Sequence, residues 1–306
     1  MKPAANTLLS IAFMALAFVG CKKDNDNTTP LPDAAAFNKL LNDGQNSLIT
    51  TTNLKLPNIY SYYTIGMVNG TLITLPQNTL FKDGVAITSN ATLEYCQFYD
   101  RKSMIIADKP NIARTSDGTY EMLANSCIFY LAAKQDGTLL TINNFIRIDV
   151  KRQTYIGTEG DTIAFNAKTS VDGTVWEPAK NWMVYLVQSY ASYIMNVPDN
   201  NWYAFGRFYN DGRPLTSVTV NVPEGYANAS RVYIIPKGFP RSVGTPQCKM
   251  PIGEQCYILF VTERNGQYCW TYKDVSITEN HVENIDLSHI YTGNLSNFSE
   301  FIDILK

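Results

Sequence analysis

The residues in this 306-residue chain best suited to recognising a ligand are aromatic, and they crowd into one stretch. Trp176, Trp182, Trp202 and Tyr203 lie in a run of rings that continues through Phe205 and Phe208 to Tyr209. Flat Trp and Tyr faces stack on the apolar side of sugar rings, and Asn181, Asn200 and Asn201 would supply amides for the hydroxyls. On that reading Trp176, Trp182, Trp202 and Tyr203 are the ligand-binding candidates, and the ligand is a glycan. The better reading of the same rings is the core between two sheets or two domains, where buried aromatics dominate the packing. They are not interleaved with a basic track, as stacking surfaces for single-stranded nucleic acid are. A net charge of -2 likewise provides no field to attract nucleic acid.

Catalytic constellations are missing from the sequence. A serine hydrolase of the G-x-S-x-G type needs an elbow that is absent, and the only two histidines, His281 and His289, fall in the last twenty-six residues. Their positions suit the flanks of an edge strand. No H-E-x-x-H, G-x-x-x-x-G-K-[ST] or G-x-G-x-x-G occurs, so metalloprotease, P-loop and dinucleotide-binding readings fail. Asp24-Asn25-Asp26-Asn27 has a calcium-like composition but lacks the glycine and terminal glutamate of an EF-hand loop. Glu94, Asp100, Glu121, Glu159 and Asp161 are available carboxylates, and Glu159-Gly160-Asp161 reads as a turn. The expectation is a non-enzymatic protein with no catalytic residue, no metal and no cofactor.

Cysteine carries a different message. Five remain beyond Cys21, namely Cys96, Cys127, Cys248, Cys256 and Cys269, and an odd number leaves at least one unpaired. Cys96 and Cys127 could bridge if their strands are neighbours. Cys256 and Cys269 flank the Asn265-Gly266 turn, but a two-residue turn sets Thr262 opposite Cys269, so they are out of register. Without a CxxC, redox and zinc-ribbon roles lose support, and small buried hydrophobes are the better reading of most of them.

The chain begins with an address. Lys2 precedes an apolar run from Leu8 to Gly20, whose helical length of roughly 20 Å falls short of a ~30 Å hydrocarbon core. That is a secretion signal. Its end, Phe18-Val19-Gly20-Cys21, resembles a bacterial lipobox with Phe18 in place of the usual leucine, and makes Cys21 the expected lipidation site. An ordinary signal peptide followed by a chance cysteine is the alternative. Residues 21–35 then form a polar, proline-punctuated tether.

The elements that position everything else are strands. Asp33 can cap a short helix over 34–42, which Asp43-Gly44 should stop. From there to about 209 strands alternate with turns such as Lys82-Asp83-Gly84, Ser116-Asp117-Gly118 and Gln135-Asp136-Gly137, around a long buried strand or pair at Tyr120–Ala133. Only Trp182 to Ile194 has helical length, with a connector equally compatible. A second unit starts at Asn210-Asp211-Gly212-Arg213-Pro214 and contains the clearest hairpin, Cys256–Glu263 with Gln267–Tyr272. A separate strand is expected at Asp274–Thr278, and a terminal helix from Ser296 with Phe298, Phe301, Ile302 and Leu305 on one side. The prediction is all-β, with one sandwich over 36–209 and an Ig- or transthyretin-like sandwich over 210–306.

Gly70-Thr71-Leu72-Ile73-Thr74-Leu75-Pro76-Gln77-Asn78, followed by Ala91 to Asp100, resembles a pattern of exported Bacteroidota lipoproteins whose first domain is similar to a ZU5-type β-sandwich. Asn125-Ser126-Cys127-Ile128-Phe129, Asn201 to Phe208 and Pro251-Ile252-Gly253-Glu254 are similar to later segments of that family, with departures at Cys127 and Gly206. The resemblance implies two sandwiches and a lipid-anchored place on the outer membrane, facing the cell surface. It implies no chemistry. Asp161-Thr162-Ile163 also resembles the O-glycosylation acceptor of such proteins, with Thr162 as the modified residue. The expected partners are the membrane, through the N-terminal lipid, and a glycan or another envelope protein. A binding or assembly role leads; glycan capture by the aromatic run, or a subunit of a surface fibre, are the alternatives.

Overall fold

The computed structural model describes residues 31–56, 61–151, 162–170, 173–179, 185–187, 192–209, 211–239 and 241–305. Residues 1–30, which hold the expected signal segment, Cys21 and most of the expected tether, lie outside the described residues, as do Trp182 and Glu159-Gly160-Asp161, expected as a turn. The described chain is mostly β-strand in several sheets. Its three helices are α1 (Ala34–Ser47), α2 (Arg101–Ile106) and α3 (Leu295–Ile304). No helix of the described residues is long and apolar enough to cross a membrane.

The organising element is the sixteen-residue strand Tyr120–Gln135. Both its faces are apolar, so it can lie only in a sheet covered on both sides. Ala91–Phe98 pairs with its far half, Asn201–Phe208 with its middle, and Ile112–Arg114 with its near end. Beyond Asn201–Phe208 follow Ile163–Ser170 and Gly173–Pro178, and the last returns to Ile112–Arg114 through the parallel pair Trp176 and Ala113. Five strands thus close on themselves, which removes their free edges.

One face of this sheet packs on a second sheet built from Tyr62–Gly66, Leu72–Pro76, Ile146–Lys151, Ser192–Val197 and Tyr185–Val187. Ile73, Ile148 and Met195 from the second meet Leu93, Phe129 and Phe205 from the first in a shared core. Along Ile146–Lys151 the period is two: Ile146, Ile148 and Val150 are buried, while Arg147, Asp149 and Lys151 point outward. The helix considered over Trp182–Ile194 is absent from its described parts. Tyr193, Met195 and Val197 are buried at strand spacing, and Ser192–Val197 pairs along Ile146–Lys151.

The other face carries Cys96, Phe98, Ile128, Trp176 and Trp202. It is covered by Phe37 and Leu41 of α1, Met104 and Ile105 of α2, and Phe298 and Ile302 of α3. The same cluster takes in Tyr233, Leu259 and Trp270 from the C-terminal sheet of Ser230–Pro236, Gln255–Arg264, Gln267–Ser276 and Tyr291–Gly293. The largest core therefore runs across the expected 209/210 boundary. On its far side the C-terminal sheet packs Ile258 and Phe260 on Tyr226 and Ile285, next to the parallel pair Val218–Asn221 and His281–Asn284.

Local turn chemistry is realised closely. Asn265 and Gly266 have φ of 55° and 75°, the two positive values a type I′ turn needs, and Thr262 faces Cys269 as the loop length requires. The strand expected separately at Asp274–Thr278 is the continuation of Gln267–Ser276. At α1, Asp33 accepts from the Ala35 N–H, but the helix runs through Asp43-Gly44 to Ser47. Tertiary contact explains this. A Cβ on Gly44 would lie 2.7 Å from Tyr268 Oη and 2.9 Å from the Ile106 carbonyl oxygen, so this glycine permits close approach and does not end the helix.

Asn111 is fully buried and joins three segments. Its Oδ1 accepts from the Val243 N–H at 2.6 Å, and its Nδ2 donates to the Leu123 carbonyl at 2.6 Å and the Arg241 carbonyl at 3.3 Å. Its backbone also exchanges bonds with Val243 and Leu123.

Two stability outcomes follow. Gly44→Ala should destabilise the protein by about 1–3 kcal/mol in urea unfolding, although alanine is the better helix former by about 1 kcal/mol. A stabilised variant would show that α1 does not pack as described. Asn111→Ala should cost about 3 kcal/mol, since it leaves a buried N–H without its acceptor; a midpoint unchanged within error would refute the crosslink.

Candidate functional site

A cleft of about 900 Å³ opens where α1, the turn after α2 and the C-terminal strands converge. One face of α1 contributes Asn38, Asn42 and Gln45, spaced four and three residues apart so that they stack along the wall. The turn after α2 contributes Asp108 and Lys109, and the strand Ser230–Pro236 contributes Arg231.

The charges are arranged unequally. The Asp108 carboxylate accepts from Arg231 Nε at 3.1 Å and from Tyr233 Oη at 2.8 Å, so its charge is matched. Lys109 is only 7% exposed and has no carboxylate partner among the described residues. Its ammonium donates to Gln45 Oε1 at 2.9 Å and to the Ala107 and Asp108 carbonyls at 3.3 and 3.4 Å. It also stands 5.1 Å from the centre of the Trp202 ring. Burial pushes its pKa below the usual lysine range, and the neighbouring Asp108 charge opposes that in part. With Arg231 offset by Asp108, the described residues that line the cleft carry one net positive charge.

Of the aromatic candidates, Trp176 and Trp202 stand beneath this cleft as its support, and Tyr203 lies in the core on the opposite face of the sheet. Trp176 is fully buried and donates from Nε1 to the Pro110 carbonyl at 2.8 Å, holding the residue after Lys109. Trp202 is 7% exposed, with Tyr130 and Phe98 rings at 5.1 and 5.9 Å. Tyr203 is stacked on Phe129 and donates its hydroxyl to Asp199. These three rings are core between sheets and present no open face to a sugar. The amides beside them are also engaged: Asn200 accepts from Ala133 N and donates to the Leu140 carbonyl, and Asn201 accepts from the Trp202 N–H. Trp182 and Asn181 lie outside the described residues, and Thr162 is half-buried just before the strand Ile163–Ser170.

The remaining titratable candidates are dispersed. Glu94 pairs with Lys134 at 2.6 Å, and Asp100 caps α2 through the Ser103 N–H. Burial raises the Glu121 carboxyl. His281 is buried with Nδ1 near Thr278, while exposed His289 contacts Ser288, whose Oγ lies 2.6 Å from Asp286. There the serine stands between the carboxylate and the imidazole, an order that cannot relay a proton from serine through histidine. No three His, Cys, Asp or Glu side chains gather as metal ligands among the described residues.

All five cysteines are buried and free. Ala91–Phe98 and Tyr120–Gln135 are indeed neighbours, yet Cys96 lies opposite Tyr130 and the two cysteines belong to the cores on opposite faces. The bridge considered between Cys96 and Cys127 is therefore excluded by the pleat. Burial pushes the Cys96 and Cys248 thiols up to about 12 and raises Cys127 and Cys256 as well.

Sequence reasoning passed over Lys109, although a lysine following the apolar run Met104–Ala107 was a usable signal. Its partners Gln45 and Arg231 are distant in sequence, and only the fold brings them together.

The thiols make a pH-dependent prediction. A group with a raised folded pKa contributes stability that is complete below its unfolded value and is lost as pH rises toward the folded one. With an unfolded thiol pKa near about 8.5, four such thiols should lower the urea midpoint progressively from about pH 8.5 to 12. At pH 8 a disulfide reagent should leave all five thiols from Cys96 to Cys269 unmodified until denaturant is added. Rapid native modification would contradict the burial. Comparison of the chain with protein-family models, characterised proteins and solved structures gives no match.

Proposed function

We propose that this chain is a lipid-anchored cell-envelope protein with a non-enzymatic binding role, held on the outer membrane and facing outward. The observation that carries the reading is Cys21 directly after Gly20, at the end of an apolar run too short to span a bilayer. A diacylated cysteine would bury enough CH₂ groups, at ~0.8 kcal/mol each, to keep the protein on the membrane without a spanning helix. The resemblance to exported Bacteroidota lipoproteins supports the outward-facing placement. The cleft beside Lys109 supports a binding role, because it gathers amides, hydroxyls and one unmatched charge in a concave site.

Metabolic labelling with a palmitate analogue should mark the wild-type protein and leave Cys21→Ala unlabelled. The variant should also move from the membrane pellet to the soluble fraction. Labelling that survives the substitution would remove the anchor from this reading. Protease treatment of intact cells should degrade the protein, and protection until the envelope is broken would reassign it to the periplasmic side.

A further inference from the structure

The net charge and lining of the cleft restrict what it can hold. Lys109 is the only cation there without an opposing carboxylate among the described residues, and it is itself buried, where a charge is less screened than at the surface. Gln45 Oε1 accepts from it, which leaves the amide nitrogen of this lining residue as a donor. A phosphate dianion would bring a second negative charge close to Asp108, so one net positive charge suits a monoanion. Away from Lys109 the walls carry Asn38, Asn42, Thr174 and Gln247, groups that pair with hydroxyls as donor or acceptor. Val220 and Val222 add a small apolar strip for carbon faces. The volume of about 900 Å³ holds a mono- or disaccharide with room for water.

We infer that this cleft binds a small carboxylate on a hydroxylated body, a ligand of the sugar-acid class, with Lys109 as counter-charge and the α1 amides on its hydroxyls. This gives a ligand class to the binding role proposed above, on which it rests, and is independent of the lipid anchor. Glycan recognition would then use a polar cleft lined by residues 38, 42, 45 and 109, with the buried rings beneath as its floor.

The test is calorimetric titration of full-length protein in detergent with D-glucuronate, with D-glucose and sodium sulfate as controls. Glucuronate should bind at least about tenfold more tightly than glucose or sulfate, because only it supplies both the charge and the hydroxyls. Lys109→Met should weaken it by about tenfold or more. Asn38→Asp alters an exposed wall residue outside the buried network, and by repulsion should weaken glucuronate about fivefold while leaving the melting temperature unchanged. If Lys109→Met fails to fold, Asn38→Asp decides the matter. Equal binding of glucuronate and glucose, equal binding of sulfate, or indifference to Asn38→Asp would each overturn the inference. Retention of neutral polysaccharides without glucuronate would overturn this ligand class and leave the binding role standing. Retention of neither glycans nor envelope proteins would remove both.

Discussion

A fully buried side-chain amide has to find its hydrogen bonds inside the protein, and Asn111 finds them at Leu123, twelve residues on, and in Arg241 and Val243, more than a hundred positions away. Its carbonyl and amino groups fit only if Leu123 and the 241–243 loop come within 3 Å or so. Once they do, Ile112–Arg114 lies along the near end of the long strand, and the sheet can close through Trp176 and Ala113. Pro110 is then fixed under the Trp176 indole, and Lys109 over Trp202. The cleft is thus downstream of a single satisfied amide.

Placing Lys109 there is energetically demanding. An ammonium taken from water is tolerable when each of its protons has an acceptor, and three oxygens supply them. The indole face adds attraction without adding negative charge. Arg231 differs, because Asp108 lies against it and cancels its field. Two cations a short distance apart therefore have opposite roles, one knitting α2's turn to the C-terminal sheet and one leaving the cleft positive.

What could be read from the sequence was whatever a few neighbouring residues decide. Asn265-Gly266 specifies its turn because both positions need positive φ, and the hairpin register follows from loop length alone. Phe298 and Ile302 define the buried side of α3 by spacing. Gly44 misled for a physical reason: the usual stop signal was here a concession to Tyr268, more than two hundred residues later. The aromatic run shows the same limit, since a ring suited to sugar stacking and a ring suited to a core are chemically the same, and only burial separates them. The cysteine pair depended on which face of the pleat each occupied, which sequence spacing alone does not determine across two strands. The cleft itself was illegible, since it draws on α1, the turn after α2 and the C-terminal strands, which no motif spans.

Elements far apart in the chain meet on the same layer: Tyr268 donates to the Leu40 carbonyl, and Arg101 of α2 donates to the Leu305 carbonyl. The outer face of the large sheet is consequently covered partly by α1 and α2 and partly by α3 and the C-terminal sheet, while the core on its other face is built from residues 54–205 alone. Contacts of such long sequence separation form slowly. Until they form, apolar side chains of this face are incompletely covered, a condition in which chains associate with one another. The fold therefore favours a route on which the polypeptide is kept apart from its copies until these distant segments have met.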